Sequence, residues 1–320
     1  MKHFNLCSKD NLTFPVNQKL NNELMGNYIT TVNHLDDLSS VGSTYVLIGL
    51  PSFSIEDSKP VISDNSFSEA IAPLLNFLQS PFNDGTDILA LGEIKANSIL
   101  KSLQQDADIK SDLVGAYQKE ELIIIEELIS IITDAEKIPI FIGGNAQHSF
   151  FISKFLSLAL VSQINLLDIS PNFNIRAKNI QNGKNLSEFK LHKYDVFGLH
   201  KNYVSQTNYE LISTSKKINV QYYEDTLHLT TLDKCVKLKN AIDYLNRSFG
   251  VRLDAKSIEN CTNAIESSSG FSIRDLRTFI KMIKKEEVHF AHFCGFESSQ
   301  STRTRNLLSY LISDFIRQEE

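Results

Sequence analysis

Short runs that are apolar throughout alternate along this chain with longer stretches in which apolar residues recur every three or four positions. The runs TYVLIGL (44–50), DILALGEI (87–94), IPIFIGG (138–144), QINLLDI (163–169), YDVFGLH (194–200), KINVQYY (217–223), GVRLDA (250–255) and VHFAHFC (288–294) read as strands. Each is only six to eight residues long and rich in branched or aromatic side chains, which suits a strand better than a helix. Pro51 and the two glycines at 143–144 stop the runs that precede them. Between them, 111–137, 149–160, 230–249, 272–285 and 302–318 carry helical periodicity. In the first of these, Leu113, Tyr117, Leu122, Ile125, Leu128 and Ile132 share one face, with Ser111 placed as an N-cap. Ser272 with Asp275 three residues later approximates a capping box. Strands without polar alternation, interleaved with helices, belong to a parallel sheet covered on both faces. The expected fold is therefore an α/β, three-layer α/β/α domain with a mainly parallel central sheet. No internal repeat or linker interrupts the pattern, so residues 1–320 are expected to form one domain, with 1–43 as an N-terminal extension packed on it.

Composition narrows the function classes. The chain is 42% hydrophobic and 22% charged, enough apolar residues for a sizeable core, and its net charge of −6 offers no basic face for phosphates. The densest basic stretch, KMIKKEE, is balanced by its own glutamates, so no nucleic-acid partner is expected. Cys7, Cys235, Cys261 and Cys294 form no CxxC pair, which excludes a zinc ribbon and fits thiols in a reducing compartment. The N-terminus lacks an apolar signal core, and LIIIEELISII, broken by two glutamates, is too short to span a bilayer. The expectation is a cytoplasmic protein without membrane insertion. The sequons at 185–187 and 246–248 are then without consequence. There is no GxSxG, Walker A, GxGxxG or HExxH motif.

In open α/β sheets the ligand site lies beyond the carboxyl ends of the strands. That rule selects three loops. The first, GGNAQHSF, offers His148 as a base or metal ligand, or as a residue that caps the following helix. The second, LLDISPNFN, places Asp168 where the apolar run ends, followed by Ser170, Asn172 and Asn174. These are either oxygen donors for a cation or ordinary turn residues around Pro171. In the third, GVRLDA, Arg252 and Asp254 stand two apart on a strand and face the same side. They form an ion pair, or Asp254 orients Arg252 toward an anion. His289 and His292 fall on opposite faces of their strand and cannot easily share a ligand.

Taken in order, from YVLIGLP through FIGG, LLDISPNFN and GVRLDA to SSSGFSIRDL and the last helix, the chain resembles the ureohydrolase family of arginase, agmatinase and formimidoylglutamase, and most of all its formimidoylglutamase-like branch. The resemblance implies an arginase-like fold. Active members hold two Mn²⁺ ions with six side chains in GGDH, DAHxD and SFDxD motifs, and the metals turn a bridging water into a hydroxide that attacks an amidine or guanidine carbon. On this chain those motifs read GGNA, DISPN and VRLDA. Asn145 stands where the motif has an Asp and Ala146 where it has the ligand His, Ser170 and Asn172 replace a ligand His and Asp, and Arg252 replaces a ligand Asp; Asp168 and Asp254 are the two retained ligand positions of the six. GFSIRD aligns Gly270, Phe271 and Asp275 with a substrate-side motif, with helix capping as the plain alternative.

Two functional expectations follow from the resemblance. In the first, the protein has lost the binuclear manganese site and its catalytic residues, needs no cofactor, and serves as a binding, scaffolding or regulatory subunit with a protein partner or through self-association. In the second, it remains a formimidoylglutamase-like hydrolase of a linear amidine C–N bond, with a single metal such as Mn held by His148, Asp168, Asn172 and Asp254, or with none. A small-molecule sensor that binds a carboxylate or amidine in the old pocket is a third reading.

Overall fold

In the computed structural model the described residues are 1–12, 23–56, 59–64, 66–104, 113–175, 191–296 and 301–317. The strands are β1 (Phe4–Leu6), β2 (Tyr45–Leu50), β3 (Ser52–Glu56), β4 (Lys59–Ser63), β5 (Ile88–Ile94), β6 (Ile138–Gly143), β7 (Ile164–Ile169), β8 (Leu191–Leu199), β9 (Ile218–Tyr222), β10 (Ser248–Asp254) and β11 (Glu287–Cys294). The helices are α1 (Phe67–Leu75), α2 (Ala96–Gln104), α3 (Leu113–Asp134), α4 (Ala146–Ala159), α5 (Gln206–Thr214), α6 (Thr231–Tyr244), α7 (Ile273–Ile283) and α8 (Thr302–Ile316).

Nine of the strands form one sheet in the order β1-β5-β2-β6-β11-β10-β7-β8-β9. All neighbours are parallel except β1, which runs antiparallel to β5 at the edge. Because successive strand residues point to opposite faces, each fully apolar strand feeds two cores. Leu47, Ile140, Leu167, Val251, Leu253 and Phe293 pack under α1, α6, α7 and α8. Val46, Ile48, Phe141, Leu166, Val196 and Phe290 pack under α2, α3 and α4. This is the expected α/β/α layering. Residues preceding β2 join it: β1 extends the sheet, and Cys7, Leu12, Met25 and Ile29 are buried in the first core.

Three departures from the sequence pattern have local causes. The helix expected over 230–249 stops at Tyr244, because Asn246 and Arg247 take left-handed backbone at φ 59° and β10 then starts at Ser248. The helix expected from 149 begins at Ala146, where Asn145 caps it by accepting from the Gln147 amide. The β3–β4 hairpin, α1, α2 and α5 were not expected; α1 and α2 do carry apolar faces, Phe67, Ala70, Ile71, Leu74 and Leu75 in the first and Ala96, Ile99 and Leu103 in the second, but over only nine residues each. Ser111 and the 185–187 sequon lie outside the described residues.

Candidate functional site

The register of the central strands builds the site. Arg252 of β10 is the cross-strand partner of Asp168 of β7 on one side and of His292 of β11 on the other. In-register neighbours point to the same face, so all three side chains, and Asp254 two residues on, project toward the layer formed by α3 and α4. Tyr194 of β8 joins them from the next strand.

Arg252 Nε donates to Asp168 Oδ1 at 2.7 Å, and both side chains are 1% exposed. Tyr194 Oη donates to the other carboxylate oxygen at 2.6 Å, with Asn174 Nδ2 more distant at 3.5 Å. Burial pushes the Asp168 carboxyl above its ordinary range, and Arg252 and Tyr194 pull it only partly back, leaving it raised. Burial also works against the Arg252 charge, but Asp168 and Asp254 outweigh it and hold the guanidinium protonated above its usual range. A guanidinium does not shed its proton in a protein, so the ionised carboxylate is the form that neutralises it. Arg252 Nη2 stands 3.9 Å from Asp254 Oδ2, too far for a hydrogen bond. Neither Nη1 nor Nη2 has a hydrogen-bond partner among the described residues. Asp254 uses Oδ1 to accept from the Lys256 amide at 3.0 Å, capping the short 3₁₀ turn that follows β10.

His148 turns away from this cluster. Its Nε2 lies 3.3 Å from Glu121 Oε2 of α3, both side chains being buried, while its Nδ1 lies 2.9 Å from the Asn145 amide nitrogen. Tyr117 Oη donates to the other Glu121 oxygen at 3.1 Å. Burial lowers the His148 pKa, and the Glu121 carboxylate and its hydrogen bond more than reverse that, leaving it raised. The ring fits only because residue 144 is glycine: at φ +70° a Cβ there would sit 2.8 Å from His148 Nδ1. His292 Nε2 lies 2.7 Å from the Gly143 carbonyl, which can only accept, so Nε2 carries the proton and Nδ1 accepts from Ser149 Oγ at 2.6 Å. Burial and the neighbouring charges of His148 and Arg252 push its pKa down to about 3.

The remaining candidates are occupied locally. Ser170 Oγ and Asn172 exchange hydrogen bonds at 3.2 Å within the turn, and Asn172 Nδ2 donates to Glu266 Oε1 at 3.2 Å. Asn174 Nδ2 donates to the Asn172 carbonyl at 2.9 Å. Ala146, the first residue of α4, has no ligating atom. Asp275 does not meet the others: it starts α7 in the opposite layer, where it takes Thr231 Oγ1 at 2.6 Å, Lys234 Nζ at 2.9 Å and the Ser272 amide. Phe271 fills the space beside Gly198, whose φ of +90° and missing Cβ admit the ring edge. Sequence reasoning missed Tyr194 and Glu121. A glutamate four residues after Tyr117 on the apolar stripe of α3 was the available signal for the second.

No protein-family description and no curated protein sequence matches the chain. Solved structures do. Formimidoylglutamase from Bacillus subtilis superposes with a TM-score of 0.67 at 15% identity, covering 92% of this chain and 91% of that one. Trypanosoma cruzi formiminoglutamase, solved with Mn²⁺, gives 0.65 at 13% identity over 88% and 96%. Agmatine ureohydrolase of Thermoplasma volcanium gives 0.60 at 16% identity over 92% and 93%. The fold is that of the ureohydrolases. Within this ureohydrolase fold, the side chains at the strand ends do not fit a pair of divalent cations. Among the described residues no three His, Cys, Asp or Glu side chains converge. Arg252 puts a fixed positive charge in direct contact with Asp168. Even at an effective dielectric of about 20, it would repel a cation 4 Å away by about 4 kcal/mol per unit charge.

Proposed function

We propose that this ureohydrolase-fold protein no longer holds the two manganese ions and does not hydrolyse amidines, and that it acts in the cytoplasm as a binding, scaffolding or regulatory subunit. The observation that carries this reading is the 2.7 Å contact of Arg252 with Asp168. The guanidinium supplies the counter-charge that a dication would otherwise supply, and it does so with a group that cannot polarise a water into hydroxide. The positions of His148 and Asn172 support it, since His148 is paired with Glu121 and Asn172 with Glu266. A single-metal site drawn from Asp168, His148, Asn172 and Asp254 would have to break both contacts and displace Arg252.

Such a role calls for a protein partner or for self-association, and no cofactor. Inductively coupled plasma mass spectrometry on protein purified without chelator is expected to find no stoichiometric manganese. Assays for ammonia, formamide and urea release from formimidoylglutamate, agmatine and arginine with added Mn²⁺ are expected to match an Asp168→Ala, Asp254→Ala double variant. About two manganese ions per chain, or release clearly above that variant, would overturn the proposal. Affinity purification at native expression level is expected to return a stable protein complex.

A further inference from the structure

Arg252 is the largest fully buried side chain of the described residues, and only one of its three nitrogens is used. A buried donor without a partner loses the water it bonded in the unfolded chain and gains nothing in return, and the penalty is larger when it belongs to a charged group. Beside this idle edge, 3.9 Å away, lies Asp254 Oδ2, an acceptor that no hydrogen bond reaches among the described residues. The Asp254 side chain keeps 10% of its surface in contact with solvent and the Arg252 side chain 1%, so Asp254 is the more accessible of the two.

We propose that this pair is a binding site for the primary amide group of a small neutral ligand, its carbonyl oxygen accepting from the Nη groups of Arg252 and its NH₂ donating to Asp254 Oδ2. The assignment rests on the metal-free reading of the strand ends given above. At 3.9 Å, a donor and an acceptor can each reach one of the two heteroatoms carried on a single carbon.

Charge decides between ligand classes. Asp168 already neutralises Arg252, and Asp254 leaves the cluster one negative charge in excess. A carboxylate would satisfy the guanidinium edge but raise that excess to two and meet the like charge of Asp254. An amidinium would satisfy Asp254 but bring donors, and a second cation, against a guanidinium that has only donors to offer. A zwitterion balances both groups but must desolvate two more ions, the largest penalty of the four. An amide matches both groups, leaves the charge unchanged, and carries only the smaller desolvation cost of a neutral polar group.

The test compares three probes of nearly equal shape: acetamide, acetate and acetamidinium. Saturation-transfer NMR on the full-length protein at neutral pH reads their binding, and manganese is measured in the same sample. Acetamide is expected to give at least a threefold larger transfer than either ion. In Asp254→Asn the side-chain oxygen can still cap the Lys256 amide, but an NH₂ replaces the acceptor and the excess charge is gone. Acetate is therefore expected to overtake acetamide in that variant. Because Asp254→Asn retains the cap, it is expected to fold, and circular dichroism checks that it does. Equal signals, acetate ahead in the wild type, or no binding of acetamide by metal-free protein would overturn the amide assignment alone. Stoichiometric manganese in the sample would instead overturn the metal-free reading beneath it.

Discussion

Replacing Arg252 with methionine removes one charge of a fully buried pair and leaves the other. Asp168 would keep Tyr194 Oη at 2.6 Å and the distant Asn174 amide, but no counter-ion. Breaking a buried pair from one side costs about 3–5 kcal/mol, because the remaining ion is desolvated without compensation. Arg252→Met should lower the stability measured by equilibrium urea unfolding by that amount at pH 7. Asp168 can escape the penalty by taking up a proton, so its folded pKa in the variant lies above its unfolded value. The variant's deficit is then smallest at low pH and grows as pH rises through that folded pKa. Adding Asp168→Asn removes the stranded charge, and the double variant should recover a large part of the loss, giving a coupling energy of at least about 2 kcal/mol in the cycle. A single variant within about 0.5 kcal/mol of wild type, or additive losses, would refute the claim that Arg252 is the counter-charge of Asp168.

Four further outcomes are expected. Arg252→Asp places three aspartates at adjacent strand ends, so it should be destabilised without metal and regain melting temperature in millimolar Mn²⁺, a response absent from wild type in differential scanning fluorimetry. Asp195 is buried, and burial with Asp168 nearby raises its pKa from 3.8 to about 7. The folded state therefore binds the extra proton, and stability falls as pH rises from about 4 to 7; Asp195→Asn should flatten that slope, worth at most about 4 kcal/mol, in urea titrations across the window. The raised pKa of His148 contributes stability that is complete below pH 6.5 and lost as pH climbs through its folded value, so Glu121→Gln should weaken that dependence in the same experiment. Arg277 donates through Nε and Nη2 to both oxygens of fully buried Asp314, and Arg277→Ala should cost about 2–4 kcal/mol while Arg305→Ala, whose ion pair with Glu69 is partly exposed, costs under about 1 kcal/mol.

Legibility in the sequence followed burial. The strands β2, β5, β6, β7 and β10 could be read because both of their faces meet a core, which leaves a mainly apolar run with few polar positions. Helix α5 could not, since none of its nine residues is fully buried and no stripe marks its face. Helix α1 carries Pro73 in its interior, which argues against a helix unless tertiary packing overrides it. The three-residue β1 is held by pairing with β5, a non-local fact. At the site, Asp168, Arg252 and Asp254 were visible because they break apolar runs at strand ends. Which carboxylate Arg252 chooses was not: same-face spacing points to Asp254, while the register with β7 delivers Asp168 at 2.7 Å. Tyr194 reads as one more core aromatic until its hydroxyl is seen on Asp168.

The bond between β7 and β10 also bears on how the sheet finds its alignment. Both strands are apolar on both faces, so greasy side chains alone discriminate poorly between one sliding position and the next. Moving β10 by one residue would set Val251 or Leu253 opposite Asp168 and bury an anion and a cation apart from each other. A single ionic latch in the middle of the molecule thus acts as an indexing pin, making mis-threaded versions of the sheet expensive.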